Sequence, residues 1–311
     1  MKGFVKFIKA AGIPDLTSEF KGHIDVSELT EIAVTNKLQP LLPKFLGEGE
    51  IWLSRYDELH SLLVKIGESL EGLNYSIVKT LRPVPHLPSD VDIIIDSSDF
   101  DEACQRLIKG KFRVLDKCPY GVTFNSFETR FNVDLSEELT VAGLKYVDRN
   151  LILEESIEHN MNGTNIKIPK PYVDLLVIVD HSVFKEGIYT LRDFYTTILW
   201  RKYLPRTLHL ASKESDAVAM QLFLAVTYLI CREAIGEHHI ISRELAKALQ
   251  KEPKGDVQNV PYRYRFVDLI VALASKVTYF SKEKRLQGLL RSAPSTKNAR
   301  LFANYLVRKS Y

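Results

Sequence analysis

Hydrophobic positions along the chain change their spacing twice. Up to about residue 72 they recur at three and four. Leu29, Ile32, Ala33 and Leu38 follow Ile24-Asp25-Val26-Ser27, with breaks at Pro40 and Pro43. Leu59, Leu62, Leu63, Ile66 and Leu70 then mark one face of an amphipathic helix that ends near Gly72. From Tyr75 the pattern shortens to β-branched runs, which predict strands at 76–78, 91–95, 112–115, 121–124 and 131–135. A helix capped by Ser97 or Ser98 should run to Ile108 and stop at Gly110. Asn162-Gly163 is a turn signal, with Ile166 and Ile168 beyond it. After Tyr172 helical spacing returns over 173–184, 191–204, 215–235, 242–250, 267–280 and 301–308.

These shifts predict an α/β protein in three parts: a helical segment over 1–72, a mixed sheet over 73–170 and a helical domain over 171–311. A chain of 311 residues is longer than one core usually serves, and its 45% hydrophobic and 26% charged residues are those of a globular protein rather than a disordered one. The run from Ala217 to Cys231 is too short to span a bilayer and meets Arg232 and Glu233, so it reads as a buried core helix. Lysines interrupt the apolar residues of the first nine positions, which argues against a signal peptide. Cys104, Cys118 and Cys231 form no CxxC pair and are expected as reduced, buried thiols in a cytoplasmic protein without membrane association.

The net charge of +3 is unevenly placed. Residues 252–311 hold 12 Lys and Arg against 4 Asp and Glu, a local +8 that leaves the first 251 residues at −5. An anionic partner is therefore expected at the C-terminal end. Lys282, Lys284, Arg285, Arg291, Lys297 and Arg300 alternate there with Tyr279, Phe280, Phe302 and Tyr305, the pattern by which bases are stacked and phosphates neutralised. A solvated helix face is the competing reading.

The chemistry centres on Ser89-Asp90-Val91-Asp92-Ile93-Ile94-Ile95. Carboxylates two apart on a strand share a face, repel one another, and are commonly reconciled by a divalent cation. Lys79-Thr80 closes the preceding strand, a loop with three prolines (Pro83, Pro85, Pro88) follows, and Asp134 ends a later apolar strand. Strand, turn, Asp-x-Asp strand, helix, then a strand with one more carboxylate resembles the nucleotidyltransferase superfamily, whose catalytic domain is that of DNA polymerase beta. The order of the flanking helical segments, with Leu38-Gln39-Pro40-Leu41-Leu42 before and Asp174 to His181 and Leu191-Arg192-Asp193-Phe194 after, is similar to poorly characterised bacterial and archaeal members related to abortive-infection toxins.

The resemblance implies that Asp90, Asp92 and Asp134 ligate Mg²⁺ or Mn²⁺ and are catalytic. It implies that Lys79, Thr80 and Arg82 meet the phosphates of an NTP, and that a nucleoside monophosphate passes to a hydroxyl acceptor. RNA, and tRNA in particular, is the acceptor expected from the basic end. The family has two small residues where Lys79-Thr80 stands, so two other readings stay open: a non-catalytic nucleic-acid-binding protein on a decayed scaffold, and the transferase half of a toxin–antitoxin or defence pair with its protein partner. Asp96 is expected to cap a helix, His181 to be a core or interhelical histidine, His86 to be solvated, Glu137-Glu138 to start a solvated helix, and His238-His239 to bind nothing.

Overall fold

The computed structural model describes residues 1–12, 25–43, 50–118, 120–141 and 144–282. In chain order the elements are α1 (Gly3–Ala11), α2 (Val26–Thr35), α3 (Glu50–Ser69), β1 (Tyr75–Val78), β2 (Asp90–Ile95), α4 (Phe100–Lys109), β3 (Phe112–Cys118), β4 (Gly121–Ser126), β5 (Asn132–Ser136), β6 (Leu139–Val141), β7 (Leu144–Val147) and α5 (Arg149–Glu154). Next come β8 (Ser156–Met161), β9 (Thr164–Pro169), α6 (Pro171–Asp180), a π-helical turn (His181–Glu186), β10 (Ile188–Tyr189), α7 (Leu191–Leu199), α8 (Leu204–Lys213), α9 (Ala217–Ile235), α10 (Ile240–Ala248), β11 (Tyr262–Arg263) and α11 (Phe266–Lys282).

A five-stranded mixed sheet in the order β1-β2-β5-β4-β3 forms the frame. Only β2 and β5 run parallel, in a register that sets Asp90 beside Asn132 and Asp92 beside Asp134. Side-chain alternation then divides the sheet chemically. Val91, Ile93, Ile95, Val133 and Leu135 face a core shared with Leu59, Leu62, Leu63 and Ile66 of α3 and Ala103 and Leu107 of α4. The opposite face carries Asp90, Asp92, Asp134 and Ile94, and Ile94 packs with Val78, Ile152 of α5 and Val173 and Val177 of α6.

The mixed α/β architecture is as expected, but residues 1–72 do not form a unit of their own. Phe4, Phe7, Ile8, Leu29 and Ala33 join the C-terminal helices in one core with Leu175, Phe194, Phe223 and Tyr228, whereas α3 packs on the sheet. The apolar face of each helix chose the nearest unfilled surface, and helical spacing alone does not say which surface that is. Helix α9 lies at the centre of the helical core, burying Met220, Phe223, Leu224 and Ile230, the role expected of its apolar run.

Other local differences have simple causes. Asn162 and Gly163 both have positive φ, at 52° and 91°, and make the tight turn of a β8–β9 hairpin whose first strand the sequence did not announce. Glu137 and Glu138 lie at the bend between β5 and β6 rather than at a helix start, and Glu138 pairs with Lys145 at 2.8 Å. Of the three free thiols Cys231 is buried, while Cys104 is half-buried and Cys118 is exposed at the end of the edge strand β3.

Candidate active site

A cleft of about 350 Å³ opens where the carboxylate face of β2 meets α6, the π-helical turn, α7 and the end of α2. Asp90, Asp92, Lys79, Thr80 and Arg82, all expected at a site, line it together with Lys37, His181, Lys185, Glu186 and Arg192. Its size lies within the range of small-ligand pockets.

Lys79 dominates the floor. Its backbone has φ 63°, the left-handed conformation in which the small residue of the resembled family would be unstrained and a lysine is not. Two hydrogen bonds fasten the turn: the Lys79 N–H donates to Asp174 Oδ1 at 2.8 Å, and Arg82 Nε donates to the Lys79 carbonyl at 3.0 Å. The buried Lys79 ammonium lies 2.9 Å from Asp92 Oδ2 and donates to His181 Nδ1 at 3.0 Å.

The titration behaviour follows. Burial pulls the Lys79 ammonium below the usual lysine range, although Asp92 opposes this. Burial works against ionised Asp92 too, but the nearby charges of Lys79 and Lys185 hold its carboxyl below the usual range. Asp90 is pushed up by burial and by the Asp92 charge. Burial, then the Lys79 charge, bring His181 down to about 3, so its imidazole is neutral and accepts a hydrogen bond from the lysine ammonium.

Asp134 sits beside Asp92 in register and on the same face, but its Oδ1 accepts a hydrogen bond from Thr123 Oγ1 at 2.7 Å. Among the described residues no three His, Cys, Asp or Glu side chains converge on one metal position. Mg²⁺ is commonly held by one or two carboxylates completed by phosphate oxygens and water, and Asp90 with Asp92 offers that donor pair. The residues thus fit a cation shared with a phosphate ligand. The three-carboxylate cage expected from the sequence is not assembled in this conformation, because Asp92 is turned to Lys79 and Asp134 to Thr123.

Two further expectations change. Arg82 lines the cleft, but its guanidinium is committed: Nη1 donates to Asp193 Oδ1 at 2.7 Å with both side chains buried. It ties the Lys79 turn to α7 and is a clamp rather than an open phosphate ligand. Thr80 Oγ1 donates back to the Val78 carbonyl at 3.1 Å. His86 is only 2% exposed, contrary to the solvated reading, with Nδ1 donating to the Val84 carbonyl. Asp96 accepts from the N–H and hydroxyl of Ser98 in the turn before α4, whose N-cap is Asp99, so it makes a turn rather than the helix cap expected of it.

Sequence reasoning missed Lys37, Lys185 and Arg192. Lys37, two residues past the end of α2, has φ 59° and its ammonium donates to Ser89 Oγ at 3.1 Å. The wide π-helical turn brings His181, Ser182, Lys185 and Glu186 to the cleft together. Arg192 follows Thr190, whose hydroxyl and Asp193 form the capping box of α7, and burial and the charge of Arg82 bring its guanidinium down to about 10. The Leu191-Arg192-Asp193-Phe194 segment carried the one available signal for Arg192; nothing local marked the other two. The proposed nucleic-acid residues Lys284, Arg285, Arg291, Lys297 and Arg300 lie outside the described residues, and Lys282 is the last residue of α11.

No protein-family model matches the chain, and no curated protein matches it. Among solved structures, that of JHP933 from Helicobacter pylori is similar, with 12% identity, coverage of 76% of this chain and 98% of that one, and a TM-score of 0.33.

Proposed function

We propose that the chain is a nucleotidyltransferase that, with Mg²⁺ or Mn²⁺, moves a nucleoside monophosphate from an NTP to a hydroxyl acceptor. The observation that supports this most is the placing of Asp90, Asp92 and Asp134 on one face of two adjacent parallel strands, beside a cleft whose other walls supply Lys37, Lys185 and Arg192. A pocket lined by two neighbouring carboxylates and by several cations suits a polyphosphate whose reacting end needs a shared metal.

In this reading Asp90 and Asp92 hold the cation, which contributes charge stabilisation on the phosphoryl oxygens. Lys37, Lys185 and Arg192 neutralise the triphosphate. Asp134 accepts the proton of the attacking hydroxyl as its oxygen bonds to the α-phosphorus, and the bond to the β-phosphate oxygen breaks to release pyrophosphate. Arg82, through Asp193 and the Lys79 carbonyl, holds the turn in place. The acceptor is proposed to be RNA, with tRNA foremost, on the charge of residues 252–311. Cytoplasmic location follows from the same reading.

One observation favours a second reading, a non-catalytic nucleic-acid-binding protein on a decayed transferase scaffold: the Lys79 ammonium already neutralises Asp92. Incubating the full chain with each α-³²P-labelled NTP, Mg²⁺ or Mn²⁺ and total RNA separates the two. Label transferred by the wild type and not by the Asp90→Asn/Asp92→Asn double variant is the expected result. Absence of transfer with every nucleotide, together with RNA binding unchanged by the double variant, would establish the second reading.

A further inference from the structure

Building on the transferase reading, we infer that Lys79 is a built-in counter-cation for Asp92, and that a divalent cation and this ammonium compete for the same carboxylate. Metal then binds tightly only when a triphosphate draws the ammonium away.

The geometry makes the competition direct. Asp92 Oδ2 is 2.9 Å from Lys79 Nζ, so the ammonium is paired with a carboxylate oxygen that a coordinated cation would need, and the lysine side chain is only 6% exposed. The ammonium is also held by His181 Nδ1 at 3.0 Å, so it is seated by two partners. The turn that carries it is fixed by Asp174 and Arg82, which confines any release to the flexible side chain. Asp90, two residues away on the same face, lacks an ammonium at such a distance among the ion pairs of the described residues, and Asp92 is therefore the point of control.

A cation that leaves Asp92 must be neutralised elsewhere in a buried site. A bound polyphosphate is an anion that can accept it there, because Glu186 and Asp193 of the lining already face His181 and Arg82, and Asp90 is the second carboxylate of the metal position. Nucleotide and metal binding are thus coupled through one side chain. The substitution of lysine for a small residue in this turn becomes a device that keeps the metal position closed until substrate is present.

Mn²⁺ binding to the full chain, followed by calorimetry and by the paramagnetic resonance of the free ion, tests this with and without an α,β-methylene NTP analogue. Wild type should bind Mn²⁺ weakly alone and about tenfold or more tightly with the analogue, within the usual range of coupling between two ligands. Lys79→Met, which keeps the length and removes the charge, should bind Mn²⁺ about tenfold more tightly without nucleotide and gain little from it. Lys79→Gly, which also relieves the left-handed backbone, provides the same comparison if the methionine variant melts early. Lys79→Arg should retain wild-type coupling.

Equal Mn²⁺ affinity in wild type and both neutral variants would overturn the inference and leave the transferase reading intact. So would an arginine variant that behaves like methionine. Failure of every protein to bind Mn²⁺, with or without nucleotide, would overturn both.

Discussion

Removing the Arg82 guanidinium is the sharpest structural test of how the site is built. Arg82 Nη1 and Asp193 Oδ1 lie 2.7 Å apart with side chains 2% and 4% exposed. Asp193 also accepts from the Thr190 N–H at 3.0 Å and the Thr190 hydroxyl at 2.8 Å, so one carboxylate closes both the ion pair and the helix cap. Arg82→Met leaves that carboxylate buried without its ion-pair partner, a change that typically costs about 3–5 kcal/mol. An unfolding entropy near 2.1 cal/mol/K per residue gives roughly 0.65 kcal/mol/K for a chain of this length, and hence a fall of about 5–8 °C in Tm.

The sign of the pH dependence provides a second handle. Burial pushes the Asp193 carboxyl up, but Arg82 and then Arg192, with the hydrogen bonds of Arg82 and Thr190, hold it below its ordinary value. A depressed carboxylate stabilises the fold above its unfolded pKa and loses that contribution as pH falls through the folded value. In Arg82→Met the carboxyl loses its first partner and protonates more readily, so the melting difference from wild type should narrow in acid. Adding Asp193→Asn removes the stranded charge while keeping an oxygen for Thr190, and should recover about 1–3 kcal/mol relative to Arg82→Met. Thermal melts of the three proteins at pH 7 and near pH 4 read all of this. An Arg82→Met protein melting within about 1 °C of wild type, or an Asp193→Asn addition that lowers Tm further, would refute the reasoning.

Two further outcomes are expected. Lys276 of α11 donates to Asp180 at 3.3 Å and to Asp216, both carboxylates fully buried, and burial and the Asp216 charge raise Asp180 well above its ordinary value, which favours its neutral form. Asp180→Asn, which reproduces that neutral donor, should therefore shift stability by less than about 1 kcal/mol, whereas Lys276→Met should cost about 3–5 kcal/mol; denaturant midpoints showing the reverse order would sink this assignment. His181, brought down to about 3 chiefly by burial and then by Lys79, should show no imidazole titration between pH 5 and 8 in ¹⁵N-detected NMR, and because its folded pKa is depressed the protein should lose stability as pH falls below about 6.5 toward 3. His181→Gln should flatten that slope, and a titration midpoint near the ordinary histidine value would contradict the buried geometry.

The sequence was most legible where one period governed a whole element. Alternation along β2 placed Asp90 and Asp92 on one face, since a strand's parity is fixed locally, whereas Asp134 joined them only through the parallel pairing of β2 with β5, which the sequence does not show. The apolar run of α9 was readable for the same reason: no surface position could hold it. What stayed hidden depended on distant partners. His86 looks polar in a proline-rich loop, yet Leu87 N–H donates to the Lys37 carbonyl at 3.1 Å and draws the loop inward against α2. Arg82 looked like a phosphate ligand because nothing within its neighbourhood in sequence could show that Asp193, more than a hundred residues away, would claim it.

The same dependence explains why the cleft draws its lining from all three parts of the chain. Each part donates one hydrogen bond or accepts one at the cleft rim. Asn36 Oδ1, after α2, accepts from the Leu191 N–H at 2.7 Å at the start of α7. The Lys37 carbonyl holds the loop that leads into β2, and Asp174 of α6 holds the turn that leaves β1. Asn36 and Asp174 are buried and Lys37 is half-buried, and at buried groups an unmade bond costs more than a made one gains. The cleft is therefore a junction whose walls are fixed only when the N-terminal helices, the sheet and the C-terminal helices are docked together. A fragment of 73–170 would retain the carboxylate face while losing Lys37, Lys185, Arg192, the Asp193 partner of Arg82 and the Asp174 and His181 partners of Lys79. Its aspartates would share a face without the surroundings that give them a phosphate to work on.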